Sequence, residues 1–293
     1  MLLFLQLLTN GIVAGGIYAL MAFGFGVIYN ATRIFHVAHG ALYTLGAYIF
    51  FWLVVGLGIS PYLAFLLVIP LSALVGVIVD ILAYRPIRVR RGGLTTLFVV
   101  SLGLLILLQN FYAFAFGEET KVVHQGPLPV YYVFGLTVTP VHVSVLVVCA
   151  VILPVTQLFL TRTKLGRAIR ALSCNADLAV VVGVDVQRTY LVVFALGSAL
   201  AGLAGALLSF DMGAQPYVGF VVILYAIVSV IVGGVGYLPG AVAGAFLLGL
   251  IQNLSLYVIS VQWQDIVVFG MLFLFLVFRP QGVFGTAITT RRV

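Results

Sequence analysis

His36 and His39 stand three positions apart, so on a helix they share one face, and two imidazoles on one face are the beginning of a metal site or a proton relay. The inventory completes neither. The chain has four histidines, the others being His124 and His142, and no Asp or Glu lies near the pair. A zinc site needs three or four ligands, so no metal and no cofactor is expected. What remains is a pair hydrogen-bonded to backbone where a helix breaks, or a pair lining a path through the protein.

The acids carry little chemistry either. Asp80, Glu118, Glu119, Asp177, Asp185, Asp211 and Asp265 are all that the chain contains, and each falls at the end of an apolar run or in a loop. A transporter driven by an ion gradient keeps a carboxylate inside the membrane to bind the ion, and none is expected here. There is no G-x-x-x-x-G-K-[ST] loop to cradle a nucleotide. No Ser, Cys or His set suggests covalent catalysis, and Cys149 and Cys174 read as free thiols. The expectation is a protein that is not an enzyme and does not hydrolyse ATP itself.

The elements that position these residues follow from the composition. Of 293 residues, 63% are hydrophobic and 7% charged, and the mean hydropathy is +1.27. A soluble domain is about 45–50% apolar. The apolar residues run continuously rather than alternating, which excludes a membrane β-barrel. The net charge of +7 would suggest nucleic acid in a soluble protein, but Lys and Arg here are bunched as they are in loops on the inner side of a membrane. Arg85, Arg88, Arg90 and Arg91 form one cluster; Arg162, Lys164, Arg167, Arg170 and Arg188 form another; Arg279, Arg291 and Arg292 close the chain. No nucleic-acid partner is expected.

Runs of about 20 apolar residues mark spans near 4–28, 37–58, 61–83, 94–116, 141–160, 189–209, 218–235, 240–259 and 263–278. Placing the basic clusters inside lets the spans alternate without conflict, with the C-terminus inside. The fold class expected is an all-α integral membrane protein, one polytopic bundle of 8–10 transmembrane helices over 1–293. Two stretches, 30–40 and 233–240, are polar or glycine-rich between apolar runs. Unwound backbone at that depth is tolerated where it is buried in protein or lines a cavity. Stripes of small residues four apart (Gly11 and Gly15; Gly197, Ala201 and Gly205; Ala241, Ala245 and Gly249) let helix backbones approach closely in lipid.

The segment 162–188 is the longest stretch on the basic side. Asn175 is suited to cap a short amphipathic helix that Gly183 ends. Such a helix either docks in a partner's groove or lies among lipid headgroups.

Three blocks then carry a resemblance over nearly the full length. They are Asn10 to Leu20, continuing through Asn30 to Phe35-His36-Val37-Ala38-His39-Gly40 and Gly46-Ala47-Tyr48; Thr163-Lys164-Leu165-Gly166-Arg167-Ala168-Ile169-Arg170 through Asn175 and Gly183 to Ala201–Gly205; and Pro216-Tyr217-Val218-Gly219 followed by Gly233–Gly236 and Gly240–Gly244. The chain resembles the permease subunit of branched-chain amino acid ABC importers, the LivH/LivM type, and more nearly LivH. It departs from that family's usual Asn-Phe-Ala-His-Gly by the extra His36 and by Ala41 where an acid often follows.

The resemblance implies a second permease subunit, two cytoplasmic ATP-binding subunits and an extracytoplasmic substrate-binding protein, all at a prokaryotic inner membrane. It implies a translocation path near Asn30, His36, His39, Gly40, Pro216 and Gly219. It also implies an ATPase-coupling segment holding Gly166, Arg167, Arg170, Asn175, Ala176, Ala179 and Gly183. Branched-chain or other neutral amino acids are the expected cargo. Urea or short amides, or a facilitator or channel needing no nucleotide, are the alternatives.

Overall fold

The computed structural model describes residues 1–123, 129–133 and 135–285; His124, Arg291 and Arg292 lie outside them. Among the described residues, eight helices are long and apolar enough to cross a membrane, so the chain is a multi-pass α-helical membrane protein.

The first helix, α1 (Leu2–Thr32), has no proline and no charge in its 31 residues. It ends where Arg33 turns into the left-handed region (φ 57°) and donates its backbone N–H to the Tyr29 carbonyl at 2.8 Å. The chain does not continue away from that end. Phe35 packs edge-on against Phe25 and Tyr29 at ring separations of 5.5 and 6.3 Å, and His39 reaches the level of Gly24. That level lies about 12 Å back along α1, at 1.5 Å per residue. Helix α2 (His39–Phe51) therefore starts inside the bundle. The irregular stretch is 33–38, shorter than the 30–40 expected, because Asn30 still belongs to α1 and Gly40 already belongs to α2.

After a π-helical turn, Trp52–Gly56, α3 (Pro61–Val79) returns across the bundle. It does not stop near 83. A second π-helical turn, Asp80–Tyr84, leads directly into α4 (Arg85–Val89), and the whole rod runs unbroken to Val89. Helix α5 (Leu94–Phe116) follows. A small hairpin comes next, β1 (Tyr131–Val133) antiparallel to β2 (Leu136–Val138), with Tyr131 opposite Val138. Helix α6 (Pro140–Arg162) is capped by Thr139, whose hydroxyl accepts from the His142 N–H.

Two short helices, α7 (Lys164–Cys174) and α8 (Ala176–Val181), stand outside the spans. The chain then forms α9 (Val186–Met212), α10 (Val218–Gly233), α11 (Leu238–Ser255) and, after a 3-10 turn, α12 (Gln264–Phe278). At 16 residues α10 is shorter than the 20 or so that cross a bilayer. The stretch expected to be irregular over 233–240 narrows to 234–237, between α10 and α11.

The small-residue stripes are where helices touch. Gly15 of α1 faces Phe246 and Ala245 of α11, and Gly249 of α11 faces Gly11 and Gly15 in return. Helix α9 is lined on several sides. Gly197 meets Ile28 and Gly24 of α1, Gly202 meets Ser72 of α3, and Gly205 lies against the Tyr43 carbonyl of α2. A Cβ at any of these would overlap the facing atoms. Such contacts hold helices together in lipid, where burying apolar surface between them gains little. The result places α1, α2 and α9 at the centre, with α3, α10 and α11 around them.

Candidate functional site

The two internal helix starts meet. Gly40, in the first turn of α2, and Gly219, in the first turn of α10, lie backbone against backbone, each positioned so that a Cβ would strike the other's carbonyl. Thr44 sits beside the crossing and donates its hydroxyl to the Gly40 carbonyl at 3.2 Å. Pro216, buried in the five residues before α10, turns the chain into this contact. Gly40, Pro216 and Gly219 thus come together as one junction, far apart though they are in sequence.

His36 and His39 lie just beneath it, with ring centroids 5.6 Å apart and no surface exposed. Of the two readings left open for the pair, the backbone hydrogen bond has no counterpart at His36 among the described residues. Its Nδ1 lies 2.7 Å from the Tyr84 hydroxyl on the π-helical turn. Tyr84, buried at the end of that turn, forms a triangle of rings with His36 and Phe194 of α9, each pair 5.3 Å apart. His39 sits against Phe25 and over the Met21 carbonyl without meeting hydrogen-bond geometry. Ser101 of α5 accepts the Ala38 N–H at 3.0 Å. One helix turn away, Asp80 is fully buried, contrary to the expectation that no acid would be. It forms two contacts with Arg88, at 2.7 and 3.0 Å, and Arg88 lies 4.7 Å over the Tyr190 ring of α9. The carboxylate is tolerated because the helix continues to Val89 and returns Arg88 to the face of Asp80. The sequence alone puts that arginine in a basic cluster beyond a span ending near 83.

The second group of expected residues forms a separate structure. Thr163 caps α7, its hydroxyl accepting from the Gly166 N–H at 3.0 Å, and Gly166 lies against the Phe159 and Leu160 carbonyls that end α6. A side chain there would push α7 off α6. Arg170 donates to the Leu160 carbonyl across the same corner. Asn175 caps α8 by accepting the Leu178 N–H at 3.0 Å. Gly183 ends it at φ 84°, a conformation costly for any residue with a Cβ, and the Val184 N–H returns to the Ala179 carbonyl at 2.9 Å. Ala176 opens the helix, Ala179 is its buried anchor, and Arg167 points outward on α7. The opposite face of α8 is apolar and open, with Leu178, Val181 and Val182 62, 81 and 75% exposed.

Asn30 belongs to neither group. It lies in the last turn of α1, facing a cleft of about 300 Å³ that α6, α7 and the turn before α11 complete. Arg170 lines the same cleft, so one residue expected on the path and one expected in the coupling segment face a common space from different helices. No local pattern in the sequence signals this, because the cleft is made by four elements.

Comparison with known proteins then settles the family. Residues 7–276 match the family model described as the permease component of the branched-chain amino acid transport system. The chain belongs to this family. The permease is 32% identical over 298 residues to the high-affinity branched-chain amino acid transport system permease protein BraD of Pseudomonas aeruginosa, covering 96% of both chains. It is 29% identical to LivH of Escherichia coli K12, covering 97% of this chain and 96% of that one. Among solved structures it aligns with PsaBC from Streptococcus pneumoniae at a TM-score of 0.47 and 14% identity, over 96% of this permease.

Proposed function

We propose that the chain is one of two membrane-spanning subunits of an ABC importer that carries branched-chain amino acids inward across a prokaryotic inner membrane. A second permease, identical or homologous, completes the path, an extracytoplasmic binding protein delivers the substrate, and two cytoplasmic ATPase subunits drive the cycle. In this reading the basic clusters, α7, α8 and the C-terminus face the cytoplasm, as an excess of Lys and Arg favours.

The observation that carries the reading is α8. It is capped at both ends, anchored at Ala179, and turns a compact apolar face away from the bundle. A helix of this kind is suited to a groove in a partner. The Gly166 corner fixes α7 to the end of α6, so a push on α8 passes into the membrane through a short, stiff path. The junction of Gly40 and Gly219, with Pro216 behind it, is the pivot at which two interrupted helices change angle. His36 and His39 hold that pivot against α1, α3 and α9, and they serve the path by setting where α2 begins. Energy enters only as a difference in contact between the two states of the assembly.

The test pairs Leu178→Asp with Val181→Asp. Both side chains are exposed, so the variant inserts and folds, while co-purification with the ATPase subunits is lost and ATP-driven leucine uptake with it. Wild-type co-purification in the variant would remove α8 as the docking element. Competition of leucine uptake by isoleucine and valine, but not by urea, is the expected substrate result. Uptake by the chain alone in vesicles without ATP would point instead to a facilitator.

A further inference from the structure

We propose that Asp265, in the first turn of α12, stands in the wall of the translocation path and receives the ammonium group of the amino acid as it passes. The identity of the passenger rests on the function proposed above; the place of the acid rests on the fold.

An acid in the first turn of a helix is ordinary, because the dipole there is positive. The sequence places this one at the edge of an apolar run, but its neighbours place it deep. Its carboxylate accepts from the Tyr225 hydroxyl of α10. The Tyr225 ring meets the Tyr18 ring of α1 edge-on, with 5.2 Å between centroids. Tyr18 in turn donates its hydroxyl to the Gln252 side chain of α11 at 2.8 Å. Tyr18 is close to the midpoint of α1, with about 20 Å of helix on either side at 1.5 Å per residue. Beside it, Gly16 faces Val145 and Cys149, near the middle of α6. Four helices thus bring polar groups to one level, and that level is inside the membrane rather than at its edge.

At such depth a carboxylate faces the bundle interior or a water-filled cavity, and it marks a substrate path or a relay. The bundle does not close over Asp265. The residue is exposed, whereas Tyr225 and Gln252 behind it are 6 and 5% exposed. Neither ion pair among the described residues includes it. Asp80 differs on both counts, being fully buried and paired with Arg88. The open side of Asp265 is therefore completed from outside this chain, by the second permease subunit across a water-filled path.

The chemistry of the cluster selects what it meets. Both tyrosine hydroxyls already donate, so the open side presents a negatively charged acceptor backed by two aromatic rings. Carboxylate and rings together suit an organic ammonium. A divalent metal ion takes more oxygen ligands than one carboxylate supplies, and the described residues hold no group of three or more His, Cys, Asp or Glu that could bind one. A branched-chain amino acid carries its ammonium beside an aliphatic side chain. Ile266 and Phe269, both exposed next to Asp265 on α12, offer that side chain apolar surface.

The experiment uses the complete importer in liposomes with ATP and leucine-loaded binding protein. Asp265→Asn keeps the shape and an acceptor for Tyr225 but removes the charge. It is expected to lower leucine uptake about tenfold, the effect of one lost charge-assisted hydrogen bond, while the second permease and the ATPases still co-purify. Asp265→Glu should recover part of the loss. Unchanged uptake in Asp265→Asn would overturn the proposal. So would loss of the second permease from the purified complex, since the acid is then an assembly contact. A further variant, Phe269→Cys with Cys174→Ala, puts a thiol one turn further in on the same side of α12. A cationic water-soluble methanethiosulfonate should label it faster than an anionic one, and adding Asp265→Asn should abolish the difference. No labelling would set this face against lipid or protein, and equal rates with Asp265 in place would deny the acid its role; either overturns the proposal. If the importer takes up no leucine, the proposed function fails, and the labelling alone then decides the site by the same outcomes.

Discussion

Asp80 and Arg88 are eight positions apart and meet inside the protein. Removing one partner of a buried pair leaves an uncompensated charge and costs about 3–5 kcal/mol, whereas replacing both by apolar residues of similar size is often neutral. Asp80→Leu and Arg88→Met are therefore each expected to lower the thermal midpoint of the detergent-purified chain sharply. The double replacement should recover most of the loss, and additive losses would show that the pair does not act as a unit. The same region explains a failure of sequence reading. The apolar run ends near 83 where Arg85 and Pro86 follow, and a π-helical turn leaves no periodic signature, so nothing local shows that the helix continues and brings Arg88 back to Asp80. His36 illustrates the same limit: its spacing to His39 was visible, but its partner Tyr84 is on another helix. At Gly40 and Gly219 the requirement is space. Gly219→Val should separate α2 from α10 and cost 1 to about 3 kcal/mol or more through overpacking, read as reduced yield of folded protein. Wild-type stability in that variant would mean the two backbones are not in contact.

At the scale of elements, most spans and both short interruptions were legible because apolar length is a strong signal. The capped helix α8 was legible for a local reason: Asn175 and Gly183 are cap residues whose partners lie within four positions. Asn175→Ala should cost α8 about 1 kcal/mol. Gly183→Ala should cost about 1–2 kcal/mol by forcing a Cβ into left-handed backbone. Both changes should speed hydrogen exchange across Ala176–Val181 and weaken ATPase co-purification while leaving the spans untouched. Exchange unchanged in both would mean that the caps do not hold the helix. The start of α10 at Val218 was legible, but not what its first turn meets, because an apolar run looks the same whether that turn faces lipid or the backbone of another helix. Only the contact with Gly40 distinguishes them.

For the whole molecule, orientation rests on where Arg and Lys fall. Cys174, exposed beside α8, and Cys149, buried between α6 and α1, make a convenient pair for checking it. A membrane-impermeant maleimide should label Cys174 from the cytoplasmic face of inverted vesicles and not from outside intact cells, with Cys149 silent in both. Labelling from outside would invert the topology and remove the proposed ATPase site. The bundle was readable as a bundle from composition alone. Its centre was not, since which spans lie inside depends on the mutual fit of small residues from α1, α2, α3 and α9.

The length of α1 has a further consequence. A straight rod of 31 residues measures about 46 Å, well beyond the roughly 30 Å of hydrocarbon in an ordinary bilayer. Its leading residues Leu2, Leu3 and Phe4 are exposed and apolar, so they gain nothing by standing in water. Leaning and local thickening of the lipid both relieve such a mismatch. Lipids with longer acyl chains should therefore suit this permease better than short ones, and turnover measured across a series of chain lengths would carry the signature of its first helix.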